Sequence, residues 1–412
     1  MIKVCMIDER RYSFDAYIHR YADALADAGV QVDVLCLRDQ NQSFTEHRSG
    51  VRVFTIPISR GYGNRGSHLL EYGMAFILFT ARLLALYIKN RYQVIHVHNM
   101  PDFLAFTALI PRILGTKLIL DIRDPMPEIY MSKYEHQTNK MTVRLMQVQE
   151  KLSSLLAHAV ITANSNFKDS LVRRGIPADK ITVVNYVPDP RAFNRSGFKK
   201  QCRSESKHFT LIYPGTIAPR YGLDVAIRAL PLLLTRIPQL RLVIIGPQTE
   251  HVDELAALAQ QLGVSSYVQF KPVIPVDEVC RQIAQADVGI YPALSNPHMS
   301  IATPMKVLEY AVIGIPIIAS RLKVLEDLFG DSALMFFDPG NVNQFGRCVL
   351  ELFDDPARRE QLVRNADNIF VRTHSWSNEQ RAYFNLLNRL LAPGEGISTS
   401  DDRDESLAKE AM

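Results

Sequence analysis

Short runs of consecutive apolar residues alternate with longer amphipathic stretches along most of the chain. Ile2–Ile7 and Val32–Leu37 predict strands around a helix over Asp15–Ala28, which Gly29 closes as a C-cap. Strands over Val51–Ile56, Val94–Val97, Lys117–Asp121 and Val160–Thr162 continue the series, with helices over Leu69–Lys89, Asp102–Leu114 and Lys140–Ala157. Near-continuous apolar strands separated by helices predict a parallel sheet covered on both faces. A first, doubly wound domain is expected over residues 1–193.

Polarity rises over Asn194–His208, which reads as a linker. A second alternation follows, with strands over Phe209–Tyr213, Leu240–Ile245, Val268–Phe270, Val288–Tyr291, Pro316–Ala319 and Leu334–Phe337. It predicts another doubly wound domain over 209–374. Ser375–Leu391 has the pattern of an amphipathic helix and carries Trp376, the single tryptophan. The tail, 392–412, is acidic and poor in large apolar groups, so disorder is expected there. The fold class is therefore α/β: two Rossmann-like parallel-sheet domains facing a cleft, with ligands expected outside the carboxyl ends of the strands.

Composition adds little until it is divided. Of 412 residues, 47% are apolar and 22% charged, which excludes collagen-like repeats and long disorder. The net charge of +4 hides a basic first half, with 27 Lys+Arg against 18 Asp+Glu in residues 1–200, and an acidic second half made so mostly by the tail. Nucleic-acid binding has no support beyond this mild basicity. Five cysteines (Cys5, Cys36, Cys202, Cys280, Cys348) are widely separated, and no His cluster has metal-ligand spacing along the chain, so reduced thiols and no metal are expected. The N-terminal strand runs directly into Asp8-Glu9, unlike a signal peptide, and a cytoplasmic location is expected. Leu69–Ile88 approaches the length of a membrane span, but Glu71 and Arg82 interrupt it. A charge at mid-span costs roughly 2.5–3.5 kcal/mol, so a buried or membrane-resting helix is the better reading. The preceding loop, Ser59–His68, has three glycines and two arginines. Arg60 and Arg65 suit an acidic or diphosphate-bearing acceptor, or an anionic membrane at the inner face, although a plain surface loop has the same composition.

Two motifs point to a nucleotide. Gly215, just past a strand, lets a ligand approach the backbone, and Arg220 precedes a helix N-terminus where an anion is welcome. In Ala302–Pro316, Thr303 is expected to cap a helix whose first residue is Pro304, leaving the amides around Met305 and Lys306 for a phosphate. Lys306 opposes the helix dipole unless it meets an anion, and Glu309 could take two hydrogen bonds from a ribose diol.

The segments Pro304–Ser320, Gly215–Asp224 and Ala286–Pro292 resemble the nucleotide-sugar domain of retaining, family-4 glycosyltransferases of GT-B fold. The first domain agrees through His96–Asp102, Leu120–Glu128 and Val183–Phe193, and the C-terminal helix resembles the one that crosses back onto the first domain. The resemblance implies transfer from a nucleotide-diphosphate-sugar to a glycan or lipid-linked glycan acceptor in surface polysaccharide or glycoconjugate synthesis, with the nucleotide sugar as co-substrate and no other cofactor. It implies that Glu309 binds the ribose, that Gly215, Arg220 and the Thr303–Lys306 amides hold the diphosphate, and that the backbone near Ile274 meets the base. Ile301 stands where the family often has a second glutamate, and Arg123 where most members have histidine. A catalytically silent partner subunit, or a same-fold epimerase or hydrolase, therefore stays open.

In the first domain, Arg123, Asp124 and Glu128 are candidate catalytic groups at a strand end. Arg123 could stabilise a phosphate and Asp124 accept a proton, or the two could pair to hold the loop; Glu128 is equally open. His96 reads as a core histidine, while His98 at the strand's end reads as either core or acceptor contact.

Overall fold

In a computed structural model, the structure describes residues 1–12, 16–38, 43–58, 65–134, 138–190, 192–193, 195, 208–392 and 396–397. The chain divides into two units, one comprising Met1–Asn185 with the stretch from Ser377 onward, the other Tyr186–Trp376.

The first unit is built on β1 (Lys3–Arg11), β2 (Gln31–Leu37), β3 (Thr45–Arg48), β4 (Val51–Ile56), β5 (Val94–His98), β6 (Lys117–Ile122), β7 (Ala159–Thr162) and β8 (Ile181–Val183). Their order is β3-β4-β2-β1-β5-β6-β7-β8, parallel except for the β3–β4 pair. The helices are α1 (Ala16–Asp27), α2 (Arg65–Asn90), α3 (Leu109–Ile113), α4 (Met126–Lys133), α5 (Lys140–Leu156) and α6 (Ser165–Arg173). Side chains alternate along each strand. Cys5, Ile7, Ile95 and Val97 point into the cluster that takes in Phe79 and Leu83 of α2 and Leu171 of α6, whereas His96 meets Tyr21 of α1. Asp33 of β2 is fully buried and receives Arg52 of β4 through two bonds of 2.6 and 2.7 Å. That buried charge is thus satisfied internally.

The second unit holds β9 (Phe209–Pro214), β10 (Leu240–Ile245), β11 (Val268–Lys271), β12 (Val288–Tyr291), β13 (Ile317–Ser320) and β14 (Met335–Phe337), all parallel in the order β11-β10-β9-β12-β13-β14. Its helices are α7 (Leu223–Leu234), α8 (Glu250–Gln261), α9 (Val276–Gln285), α10 (Met305–Ile313), α11 (Lys323–Phe329), α12 (Val342–Asp354) and α13 (Pro356–Ala366). The strand order reverses between β9 and β12, which pair only at Val288–Leu211 and Gly289–Ile212. Ligands bind at such reversals.

The last helix, α14 (Trp376–Leu390), belongs to the first unit, as the expected crossing back requires. Glu379 accepts from the backbone and side-chain nitrogens of Asn185 at 2.6 and 3.0 Å, and Tyr383 packs on Tyr21 with ring centroids 4.5 Å apart.

Several expectations change. The first domain was expected to end after residue 193, but Phe193 joins the second unit's core and Arg195 bonds Asp367 and the Ile313 carbonyl. The rest of the expected linker, residues 194 and 196–207, lies outside the described residues except for His208. The helix predicted over Asp102–Leu114 begins as a 3-10 turn, Asp102–Ala108, before α3. The short strands β3 and β8 were not anticipated; β3 is a polar, mostly exposed edge with no apolar signature. Disorder was expected throughout 392–412, yet Ile397 is buried and both its backbone groups pair with the Asn388 side chain, at 2.7 and 2.9 Å. Residues 393–395 and 398–412 lie outside the described residues. The four described cysteines are free and buried, and Cys202 also lies outside. By length and composition, Tyr72–Asn90 of α2 could cross a membrane, but Phe79 and Leu83 are fully buried in the core while Met74, Ile77 and Ile88 are exposed.

Candidate functional site

The carboxyl ends of β9 and β12 converge on the first turn of α10. Tyr310 anchors that helix. Its ring occupies the space a Cβ on Gly289 would need, 2.5 Å from Cδ2, and its hydroxyl reaches the carbonyls of Ile212 and Ile290 at 3.1 and 3.3 Å. One hydroxyl thereby ties the helix to both strands of the fork. At the other end, Gly314 ends the helix in the left-handed conformation (φ 87°) against the Arg195 guanidinium.

The helix begins one residue later than expected: Pro304 is the N-cap, Met305 is the first helical residue, and no side chain caps the turn. Thr303 is therefore not the cap. Val307 N bonds the Pro304 carbonyl at 3.0 Å, while the amides of Met305 and Lys306 stand in the first turn, where an α-helix offers no internal acceptor.

Lys306 leans back over β9. Its Nζ lies 4.5 Å from the ring centre of Tyr221, 4.9 Å from Tyr213 and 5.8 Å from Tyr291. Its stem crosses Gly215, where an added Cβ would stand 2.4 Å from Lys306 Cε; Gly215 also has φ 131°, a region side chains avoid. Arg220 sits over Tyr221, and its carbonyl accepts from Leu294 N at 2.9 Å. Gly222 (φ 59°) holds the same loop against the Pro292 carbonyl, 2.1 Å from where a Cβ would be. Among the described residues neither Lys306 nor Arg220 forms an ion pair. Burial lowers the Lys306 pKa to about 8, with Glu309 opposing and Arg220 adding to the shift. Burial also raises Glu309 to about 7 against the pull of Lys306. Two cations without carboxylate partners, two open helix amides and a half-buried carboxylate make a site for a doubly charged anion joined to a hydrogen-bonding group. Ile274 packs partly against the core just past β11, beside exposed Val273.

The first unit's candidates are arranged differently. Arg123 does not pair with Asp124: its Nη2 donates to Asp8 at 2.5 Å, and its guanidinium lies 4.8 Å from the Tyr17 ring centre. Asn99 fixes the loop by accepting from Arg123 N at 3.0 Å and donating to the Asp124 carbonyl at 2.7 Å. Glu128, expected as a catalytic candidate, is buried and bonded at 2.6 Å to Arg174, which also holds Glu150 at 2.5 and 2.9 Å. That network makes it a structural group. His98 was a candidate acceptor contact, but it is fully buried and shares a 2.9 Å bond with Asp121. Its neighbour His96 bonds Tyr383 at 3.1 Å, and burial, followed by His98, holds its pKa well below the usual histidine value. Contrary to the spacing argument, His96, His98 and Asp121 bring ligand-type atoms within 4.8 Å of one another, a convergence of β5 and β6 that linear spacing hides. Arg60 lies outside the described residues; Arg65 opens α2, and its side chain also lies outside.

Residues 15–186 match the family described as glycosyl transferase 4-like domain, and residues 194–369 match glycosyl transferases group 1. A D-inositol 3-phosphate glycosyltransferase of Thermobispora bispora is 25% identical over 85% of this chain and 84% of its own. Among solved structures, sucrose-phosphate synthase from Thermosynechococcus elongatus has a TM-score of 0.75 at 17% identity, over 95% of this chain and 99% of that one. Anabaena HepE, solved in complex with UDP, has a TM-score of 0.68 at 14% identity, over 94% of this chain and 100% of that one. Matched in both halves, and folded as two parallel-sheet α/β domains, the chain belongs to the glycosyltransferases of GT-B fold that join a 4-like domain to a group 1 domain.

Proposed function

We propose that this glycosyltransferase moves a sugar, with retention, from a nucleotide-diphosphate-sugar to a lipid-linked glycan, in surface polysaccharide or glycoconjugate synthesis at the inner face of the cell membrane. The observation that carries the donor assignment is the pair of unpaired cations, Lys306 and Arg220, beside Gly215 and the first turn of α10. Glu309 would accept from the ribose hydroxyls, and the backbone at Ile274 would meet the base. The UDP bound by the Anabaena neighbour supports a uridine donor.

In the reaction we infer, the bond from the anomeric carbon to the diphosphate breaks on the face where the acceptor oxygen bonds. The acceptor's proton passes to the departing phosphate oxygen. Lys306, Arg220 and the Met305 and Lys306 amides stabilise the charge left on that group, so no metal is invoked. Asp124 remains the proposed acceptor-side group on the first unit, its carbonyl held by Asn99. The relative named for D-inositol 3-phosphate supports a second acceptor chemistry, a cyclitol phosphate.

Isothermal titration with UDP, GDP, ADP and TDP should reveal one preferred diphosphate. Glu309→Ala should then weaken it by more than roughly 100-fold, the loss of two hydrogen bonds to a charged acceptor. No binding by any diphosphate, or an unchanged dissociation constant in Glu309→Ala, would overturn the donor site.

A further inference from the structure

Helix α5 is turned inside out. Its buried residues are Glu150, Ser153 and Ser154, while Met141, Leu145, Val148, Leu152 and Leu155, spaced four, three, four and three apart, are 44–66% exposed. That spacing puts all five on one stripe. The polar inward face is explained by the Glu150–Arg174–Glu128 network; nothing among the described residues covers the apolar one. The stripe continues onto α3, whose Arg112 bonds the Leu156 carbonyl; Ile110 and Ile113 of that helix and Leu114 just past it are 49–71% exposed. Isolated exposed apolar residues are ordinary, but a contiguous band over two helices marks a docking surface.

The charges beside it say what docks. Lys140, Arg144 and Lys151 follow one flank of the stripe, and all three are exposed. Arg112, Lys117 and Lys180 gather at its C-terminal end around His158, whose pKa is lowered by burial first and then by these three cations. Lys180 bonds the Leu155 carbonyl at 2.9 Å, and among the described residues none of the six cations has a salt bridge. The acid of α5, Glu150, faces inward. A second copy docking antiparallel through this stripe would set the cationic flank against itself. A bilayer with anionic headgroups meets both the apolar stripe and its basic rim.

We propose that the α3–α5 face is a membrane-docking surface that lies on anionic lipid, seating Leu145, Leu152 and Ile113 at the headgroup boundary. This deepens the lipid-linked acceptor reading but stands apart from the donor site. The surface differs from the α2 segment and its preceding arginine loop, singled out from sequence as membrane-resting.

The test is vesicle co-sedimentation of the full chain, with phosphatidylcholine vesicles with and without one-third phosphatidylglycerol. Wild type should pellet with the anionic vesicles, weakly with neutral ones and less in high salt. Leu145→Asp with Leu152→Asp, and separately Arg144→Glu with Lys151→Glu, should each reduce anionic-vesicle binding by at least roughly tenfold. Because these side chains are exposed, melting temperature and nucleoside diphosphate affinity should not move, which separates failure of this proposal from failure of the donor site. Equal pelleting of wild type and both variants would overturn the proposal, as would loss of binding only on Ile77→Asp in α2. A wild-type dimer in analytical ultracentrifugation that both α5 variants dissolve would assign the face to a second copy instead.

Discussion

The strand ends of the two units carry similar residues and use them in opposite ways. In the first unit, Arg123 is matched by Asp8, His98 by Asp121, and Glu128 by Arg174. In the second, Lys306 and Arg220 are left to aromatic rings, beside open amides. Rings attract a cation by a modest amount and leave its charge available to an incoming anion, whereas a bonded carboxylate neutralises it. The difference separates charges that hold a scaffold from charges that await a ligand, which residue type alone cannot do.

The largest effect should come from breaking the scaffold side. Arg174→Ala leaves Glu150 and Glu128 without their cation in the interior and should cost roughly 3–5 kcal/mol. Thermal unfolding should shift down by several degrees, with nucleoside diphosphate affinity unchanged; a tight-binding loss without a melting shift would invert the comparison. On the ligand side, Lys306→Met removes a charge-assisted contact worth about 1.5–3 kcal/mol, so diphosphate binding should fall by more than roughly tenfold while nucleoside binding stays within about twofold. Equal losses measured by calorimetry would remove Lys306 from the phosphate.

The pH profile sharpens the same contrast. In the proposed donor site, binding needs Lys306 protonated and Glu309 ionised, so affinity should fall as pH rises through about 8 and as it drops through about 7. Because the Glu309 carboxyl is raised on folding, its ionisation destabilises the folded state as pH rises from the ordinary glutamate range through about 7. Glu309→Gln should accordingly raise the melting temperature at pH 8 and leave it nearly unchanged at pH 4, while weakening diphosphate binding. The smallest effect is expected for Tyr310→Phe, which loses about 1 kcal/mol of hydrogen bonding and keeps the ring against Gly289. Denaturant unfolding checks it.

The alternation of apolar runs was sufficient for the whole second sheet and for six of the eight strands of the first, because parallel strands buried on two faces leave an unmistakable pattern. It missed β3, whose edge position needs no apolar residues, and the docked Ile397, whose single side chain is too short a signal amid acidic neighbours. At the candidate site, Gly215, Arg220, Lys306 and Glu309 were singled out from motif spacing, and the structure brings Gly215, Arg220 and Lys306 together. Tyr213, Tyr221 and Tyr291 were not read as partners of Lys306, although Tyr221 and Tyr291 stand inside the motifs and Tyr213 two residues before one, because they arrive from a strand end, a turn and a second strand. Asp8 and Arg174 were equally invisible: Asp8 reaches Arg123, and Arg174 reaches Glu128, across more than 40 positions of chain. The outward face of helix α5 was not legible either, since periodicity shows that a helix has an apolar face but not which way that face points.

The Tyr310 hydroxyl has a consequence for motion. It touches one carbonyl from each strand of the fork where β9 and β12 cease to pair with each other. A nucleotide that steadies the first turn of α10 therefore steadies the fork as well. Amide hydrogen exchange should slow not only in the Gly215–Gly222 loop proposed to meet the diphosphate, but also along β9 and β12 beyond it, making backbone protection a record of occupancy that needs no sugar transfer to read.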